Sequence, residues 1–234
     1  MLRFEILTLF PDIFSSFLEE SLIKRAIVQQ NLSVNLVNFR KHGLGNHLQV
    51  DDTPYGGGPG MVLRVEPIAQ TLKQQHEFHR SEGRETHSIL LTPQGQPFSQ
   101  EKAQELCNKK AVLTLVCGRY EGFDERIRTL VDEEISGGDF ICMGGEVIAM
   151  TLIEAISRLA PDILGNQESP EQESFSQALL EFPQYTRPAS FEGLDVPEDL
   201  ISGNHKKIAE WRQQQALART KKRRPDLLSC KTDG

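Results

Sequence analysis

Three short apolar runs in succession, each bordered by a glycine-bearing turn, constrain this chain more than any other feature. The turns are Thr92-Pro93-Gln94-Gly95, Gly118-Arg119-Tyr120-Glu121-Gly122, and Gly137-Gly138-Asp139 leading into Gly144-Gly145-Glu146. The runs beside them, Ser88–Leu91, Ala111–Cys117 and Phe140–Cys142, read as strands. Helical patterns alternate with them: Ser99–Asn108 with Ser99 as N-cap, Asp124–Asp132, and an apolar helix Val147–Leu159 that Pro161 ends. Upstream, Leu2–Leu9 predicts a strand stopped by Pro11, Ser21–Gln29 a helix, Leu32–Phe39 a second strand and Glu66–His79 a helix. Such alternation predicts an α/β fold with a mostly parallel sheet and flanking helices. In open α/β sheets ligands bind at the carboxyl ends of strands. Three glycine turns there can line a cleft with backbone groups, glycine allowing close approach to a ligand or a positive φ.

The remainder of the chain has a different character. Residues 161–173 are polar and read as a flexible linker between an α/β domain, 1–160, and a small helical domain, 174–234, with helices over Ser174–Leu180 and Asn204–Ala218. A chain of 234 residues, 38% hydrophobic, suffices for one sizeable core and such an appendage. Net charge is −7, which argues against nucleic acid until its distribution is considered. From Asp162 to Glu181 there are five acids and no Lys or Arg. From His205 to Lys231 there are nine Lys/Arg against Glu210 and Asp226, so an RNA can be held at the C-terminal end.

Several chemistries are excluded. No apolar run approaches the roughly 20 residues that span a membrane, and the N-terminal stretch reads as a strand and turn rather than a signal peptide. The four cysteines form no C-x-x-C pair, which fits a reducing cytoplasm. Tyr55-Gly56-Gly57-Gly58-Pro59-Gly60-Met61 is glycine-rich but lacks the Lys-Ser/Thr of a P-loop, and no G-x-G-x-x-G follows a strand. His76 and His79 lie three apart on a predicted helix with no third ligand, a polar helix surface rather than a zinc site. No G-x-S-x-G elbow is present.

Seven motifs, in order along nearly the whole chain, resemble those of the bacterial TrmD family of tRNA guanine-N1 methyltransferases. They are Asp51-Asp52-Thr53-Pro54 continuing through Met61, Leu115–Arg126, Gly144-Gly145-Glu146, Tyr185-Thr186-Arg187-Pro188, Ser202-Gly203-Asn204-His205, Trp211-Arg212 and Arg223-Arg224-Pro225-Asp226-Leu227. The resemblance implies a SPOUT-type domain threaded into a trefoil knot, and a homodimer with active sites between subunits. It implies transfer of a methyl group from S-adenosylmethionine to N1 of guanosine 37 of tRNA. The implied cofactor residues are Leu90, Leu91, Thr92, Pro93, Gly118, Tyr120, Glu121, Gly137, Gly138, Phe140, Cys142, Gly144 and Gly145. The implied catalytic pair is Glu173 as general base at N1 and Arg158 as the cation near O6. Glu121 could face the sulfonium or bind an assisting magnesium ion (Mg2+), although no oxygen-ligand cluster marks a metal site.

Two departures from the family pattern stand out. Glu173 occupies a position where Asp is usual, with Glu171 close enough to compete. In the third loop, Phe140, Met143 and Ile148 replace the more common Tyr, Ser and Pro. Two rival readings are a ribose 2′-O-methyltransferase and a non-catalytic RNA-binding protein. The first leaves the Tyr185–Leu227 module unexplained, and the second gives the three glycine turns no task.

Overall fold

The computed structural model describes residues 1–164, 173–175 and 178–229. The chain forms two compact units, Met1–Gly165 and Asn166–Gly234. The first is built on a parallel sheet of five strands: β1 (Leu2–Thr8), β2 (Leu32–Asn38), β3 (Glu85–Pro97), β4 (Ala111–Cys117) and β5 (Glu133–Ser136), in the order β2-β1-β4-β3-β5. Helices α1 (Ser21–Val28), α3 (Gln100–Asn108) and α4 (Glu146–Ser157) cover one face, and α2 (Val65–Ser81) the other.

A parallel sheet is buried on both faces, so its central strand reads as an unbroken apolar run. Strand β4 shows this: Val112 through Cys117 are all buried, and it pairs with β1 on one edge and β3 on the other. Phe4, Ile6, Leu113 and Leu115 face Ile23, Leu106, Leu152 and Ile153 of the helices on one side. Leu7, Leu90 and Val116 face Ile68 and Leu72 of α2 on the other.

In the first unit, three strand and helix expectations differ from the structure. Phe140–Cys142 is loop, and the fifth strand is Glu133–Ser136. Its first two residues are glutamates, which hid it. As an edge strand it can carry charge, with Glu133 bonded to His87 and Lys102 and Glu134 paired with Arg128. The run predicted as Ser88–Leu91 belongs to a 13-residue strand whose register shifts between Leu91 and Gln96, so Thr92–Gly95 is a bulge rather than its end. Asp124–Asp132 is a 3₁₀ turn, Glu125–Leu130, capped by the Asp124 carboxylate.

The histidines of α2 are not on a polar surface. His79 is buried and bonds the buried carboxylate of Glu5 at 3.0 Å, which also accepts from Asn35 at 2.6 Å; His76 bonds Ser88 at 2.7 Å. The sheet-facing side of α2 is therefore apolar at Ile68 and Leu72 and polar at His76 and His79, where a row of polar strand residues (Asn35, Glu5, Thr114 and Ser88) lies in register.

The second unit is organised by α5 (His205–Arg223), capped by the Asn204 side chain. Thr220 accepts from the Leu180 amide at 2.8 Å, Arg219 donates to the Glu181 carbonyl at 3.1 Å, and the Tyr185 ring lies 6.3 Å from that of Trp211. The helix expected at Ser174–Leu180 is absent among the described residues, where Ser174 and Phe175 form a turn. Phe175 has φ 77°, outside helical space. Of the expected linker, Ile163 packs into the core of the first unit, and the Asp162 and Ile163 carbonyls accept from Asn31 and Arg25. Glu171 lies outside the described residues. Among the described residues no helix is long and apolar enough to cross a membrane.

Ile153→Ala should lower the unfolding free energy by about 2–5 kcal/mol, since a fully buried side chain leaves a cavity. Ser99→Ala should cost about 1 kcal/mol, because the Ser99 hydroxyl caps α3 by accepting from the Lys102 amide. Urea melts read both.

Candidate active site

The three glycine turns meet at the carboxyl end of the sheet. They enclose a cavity of about 550 Å³, within the range of small-molecule sites. The first wall is Leu91, Thr92, Pro93 and Gln94 on the bulge of β3. The second is Gly118 through Phe123, following β4. The third is Gly137 and Phe140 through Gly145, between β5 and α4. Of the residues named from sequence, eleven line this cavity: Leu91, Thr92, Pro93, Gly118, Tyr120, Glu121, Gly137, Phe140, Cys142, Gly144 and Gly145. Leu90 does not; it points into the core beneath the sheet. Gly138 lies beside the cavity with φ 140°, and a Cβ there would meet the Phe140 ring at 2.8 Å.

The glycines at the heart of the site also let the protein pack closely upon itself. Neither Gly118 nor Gly145 has a positive φ. A Cβ on Gly145 would lie 2.9 Å from Cys117 Cα and from the Gly118 amide nitrogen, and the Gly145 N–H donates to the Gly118 carbonyl at 2.9 Å. A Cβ on Gly118 would meet the Phe123 ring at 2.9 Å. The missing side chain of Gly145 lets the third loop pack on the backbone of the second, and that of Gly118 leaves room for the Phe123 ring; both shape the cavity.

Sequence reasoning missed the charged side chains that fasten these loops. Glu146, the first residue of α4, is buried; its Oε1 accepts from Thr8 Oγ1 at 2.8 Å, and its Oε2 pairs with Arg119 at 2.9 Å. The Arg119 guanidinium also lies 4.5 Å from the Phe10 ring centroid and donates to the Met143 carbonyl. The end of β1 and the second and third loops are thereby joined. Across the cavity, Arg128 pairs with Glu134, donates to Gln94 and bonds Glu125 at 2.9 Å, tying the first loop to the second. The legible signal was an acid directly after Gly144-Gly145, at the start of a helix where negative charge is favoured. Burial pushes the Cys117 thiol well above its ordinary range, and the nearby Glu146 carboxylate adds to it, so this cysteine is a core residue and not a nucleophile.

The glycine-rich segment 51–63 folds as a short hairpin, Asp51–Asp52 with Val62–Leu63, against the second loop. Glu121 N–H donates to the Met61 carbonyl and Leu63 N–H to the Gly122 carbonyl, both at 2.9 Å. Gly56, Gly57, Gly58 and Gly60 all have positive φ.

The two residues named for catalysis lie in different units. Arg158 follows α4 as its C-cap, half-buried, with its N–H bonded to the Glu154 carbonyl. Glu173 is half-buried in a bend of the second unit.

A parallel α/β sheet whose strand-end loops close around one cavity places the first unit in the ligand-binding α/β class. The family model of tRNA (Guanine-1)-methyltransferase TrmD matches residues 2–230, and the chain belongs to that family. It is 52% identical over 228 residues to a tRNA (guanine-N(1)-)-methyltransferase of Staphylococcus haemolyticus, covering 97% of this chain and 91% of the relative. It is 50% identical over 234 residues to one of Syntrophotalea carbinolica, covering 98% and 92%. It is also 50% identical over 229 residues to one of Moorella thermoacetica, covering 97% and 90%.

Gly145→Ala should weaken S-adenosylmethionine binding in calorimetry, because the new methyl group forces the third loop off the second. Unchanged affinity, in a folded variant, would show that the close approach of these loops does not shape the ligand site.

Proposed function

We propose that this chain transfers the methyl group of S-adenosylmethionine to N1 of guanosine 37 of tRNA, beside the anticodon, and so helps maintain the reading frame. The observation that carries the reading is the convergence of all three strand-end loops on one cavity in a chain of this family. The cavity fits the cofactor: it offers backbone N–H and C=O groups, apolar walls from Leu91, Ile135 and Ile148, and acidic side chains suited to a cation. When bound, the cofactor supplies a methyl group on an electrophilic sulfonium. The task left to the protein lies on the guanine, whose N1 carries a proton. Glu173 takes that proton as general base, and the Arg158 guanidinium stabilises the negative charge that spreads toward O6.

The site is assembled from two copies of the chain. Helix α4 begins at the cavity, with Gly145 lining it, and runs back along the sheet for 12 residues, roughly 18 Å. Ala160, Pro161 and Asp162, just beyond it, lie beside Leu2 and Asn31, at the opposite end of the strands. Arg158, the C-cap of α4, therefore lies toward the end of the sheet opposite the cavity of its own protomer, and in this reading a partner brings it to the other one. Ile141, Met143 and Val147, exposed around the start of α4, supply apolar surface for that contact. The α/β unit is the SPOUT domain of this family, and the knotted threading belongs to the same proposal. A magnesium ion would be held by Glu121. No group of three His, Cys, Asp or Glu among the described residues is placed to bind a metal, so its remaining ligands would come from the RNA or the cofactor. The reaction takes place where tRNA is found, in the cytoplasm.

Exposed Lys206, Lys207, Lys221, Lys222 and Arg223 on α5 present positive charge to the tRNA backbone. Arg224 and Arg219 serve the unit itself, through Asp226 and through the Glu181 carbonyl.

Incubation with methyl-labelled cofactor and unmodified tRNA, followed by nucleoside analysis, should yield 1-methylguanosine; label on a ribose 2′-oxygen would overturn the assignment. Glu173→Gln should lower the single-turnover rate by roughly 100-fold or more while tRNA affinity holds. A wild-type rate there, with a slow Glu171→Gln enzyme, moves the base to Glu171. Mixing an Arg158→Ala protein with a cavity-blocked variant should restore activity through hybrid dimers, and continued inactivity would place Arg158 in its own protomer's site. Neutralising Lys221, Lys222 and Arg223 together should weaken tRNA binding and flatten its salt dependence, leaving cofactor binding intact.

A further inference from the structure

The charges around the cavity are arranged unevenly. Two arginines line it, Arg119 and Arg128, and either one left unpaired would repel a cationic ligand. Neither is unpaired. Arg119 is matched by Glu146, which is almost wholly buried and so exerts its charge through a poorly screening interior. Arg128 is matched by Glu134 and again by Glu125. Glu121, also on the lining, takes part in no ion pair among the described residues. Two positive side chains thus face four carboxylates, two of which (Glu134 and Glu146) sit behind the wall rather than on it.

We infer that Glu146 and Glu134 are specificity-determining residues that hold the cavity at negative potential by neutralising Arg119 and Arg128, so that it selects the sulfonium form of the cofactor over the neutral thioether left after transfer. The inference rests on the cofactor reading above. Methyl transfer removes the positive charge from sulfur, so the spent cofactor loses its attraction to the four carboxylates while keeping its adenosine contacts. The fastening of the loops and the discrimination between cofactor forms then come from the same side chains. Thr8 and Phe10 support the arrangement. The Thr8 hydroxyl donates to Glu146 and accepts from the Phe10 amide, and the Phe10 ring packs on Arg119.

The test measures calorimetric affinities of the full-length protein for S-adenosylmethionine and S-adenosylhomocysteine. Glu146→Gln keeps the acceptor for Thr8 but leaves Arg119 unpaired, and should reduce the preference for the sulfonium form roughly fivefold or more. Glu134→Gln, at a half-exposed pair, should shift the preference in the same direction, and carries the test alone should Glu146→Gln fail to fold. Arg119→Gln combined with Glu146→Gln removes one charge of each sign and should return the preference toward wild type. A preference unchanged in Glu134→Gln and Glu146→Gln, or parallel weakening of both ligands, would show that the pairs only fasten the loops. Wild-type protein that binds neither ligand would overturn the cofactor reading as well.

Discussion

The backbone contact between Gly118 and Gly145 is the constraint on which the site depends. Strand β4 is fixed by pairing on both edges and burial on both faces, so the position of Gly118 at its end is set by the core. The Gly145 amide docks directly on the Gly118 carbonyl, and α4 starts from that point. The third loop thus inherits its position from the centre of the sheet. The bulge at Thr92–Gly95 is placed in a similar way: a Cβ on Gly95 would collide with the backbone of Glu134, so β3 and β5 come together there only because the residue is glycine.

Around that frame the protein uses buried polar groups on both sheet faces. On one side Glu146 links Thr8 to Arg119. On the other, Glu5 joins His79 and Asn35. A buried carboxylate is tolerated only where its charge is met by hydrogen bonds or an opposite charge. Both carboxylates satisfy that condition through partners distant in sequence, so each specifies one arrangement of strands and helices and penalises others.

The two units divide the chemistry. The first, built on a rigid parallel sheet, holds the cavity. The second, smaller and organised by α5, carries a basic helix end and the proposed base, Glu173. A methyl donor and a large polyanionic substrate place opposite demands on charge. The cavity, whose two arginines are each paired with carboxylates, suits a sulfonium; exposed lysines on α5 suit phosphate. Separating the two demands in the chain explains how a protein of net charge −7 can serve an RNA substrate.

The sequence by itself determined the α/β class, four of the five strands of the sheet at least in part, and the three loops that surround the cavity. Each of these follows from local pattern: apolar runs of strand length, glycine turns and capped helices. The motifs in order determined the family. Tertiary structure alone decided the rest. The edge strand Glu133–Ser136 was invisible because its glutamates find partners in His87, Lys102 and Arg128, residues no local pattern connects to it. The burial of His79 depended on a carboxylate 74 residues away. Arg119 and Glu146 stood in plain view within two motifs, yet their pairing arises only when β4 and α4 meet at Gly118 and Gly145. Periodicity reports which face of an element is apolar, but a buried ion pair is decided by which elements the fold brings together.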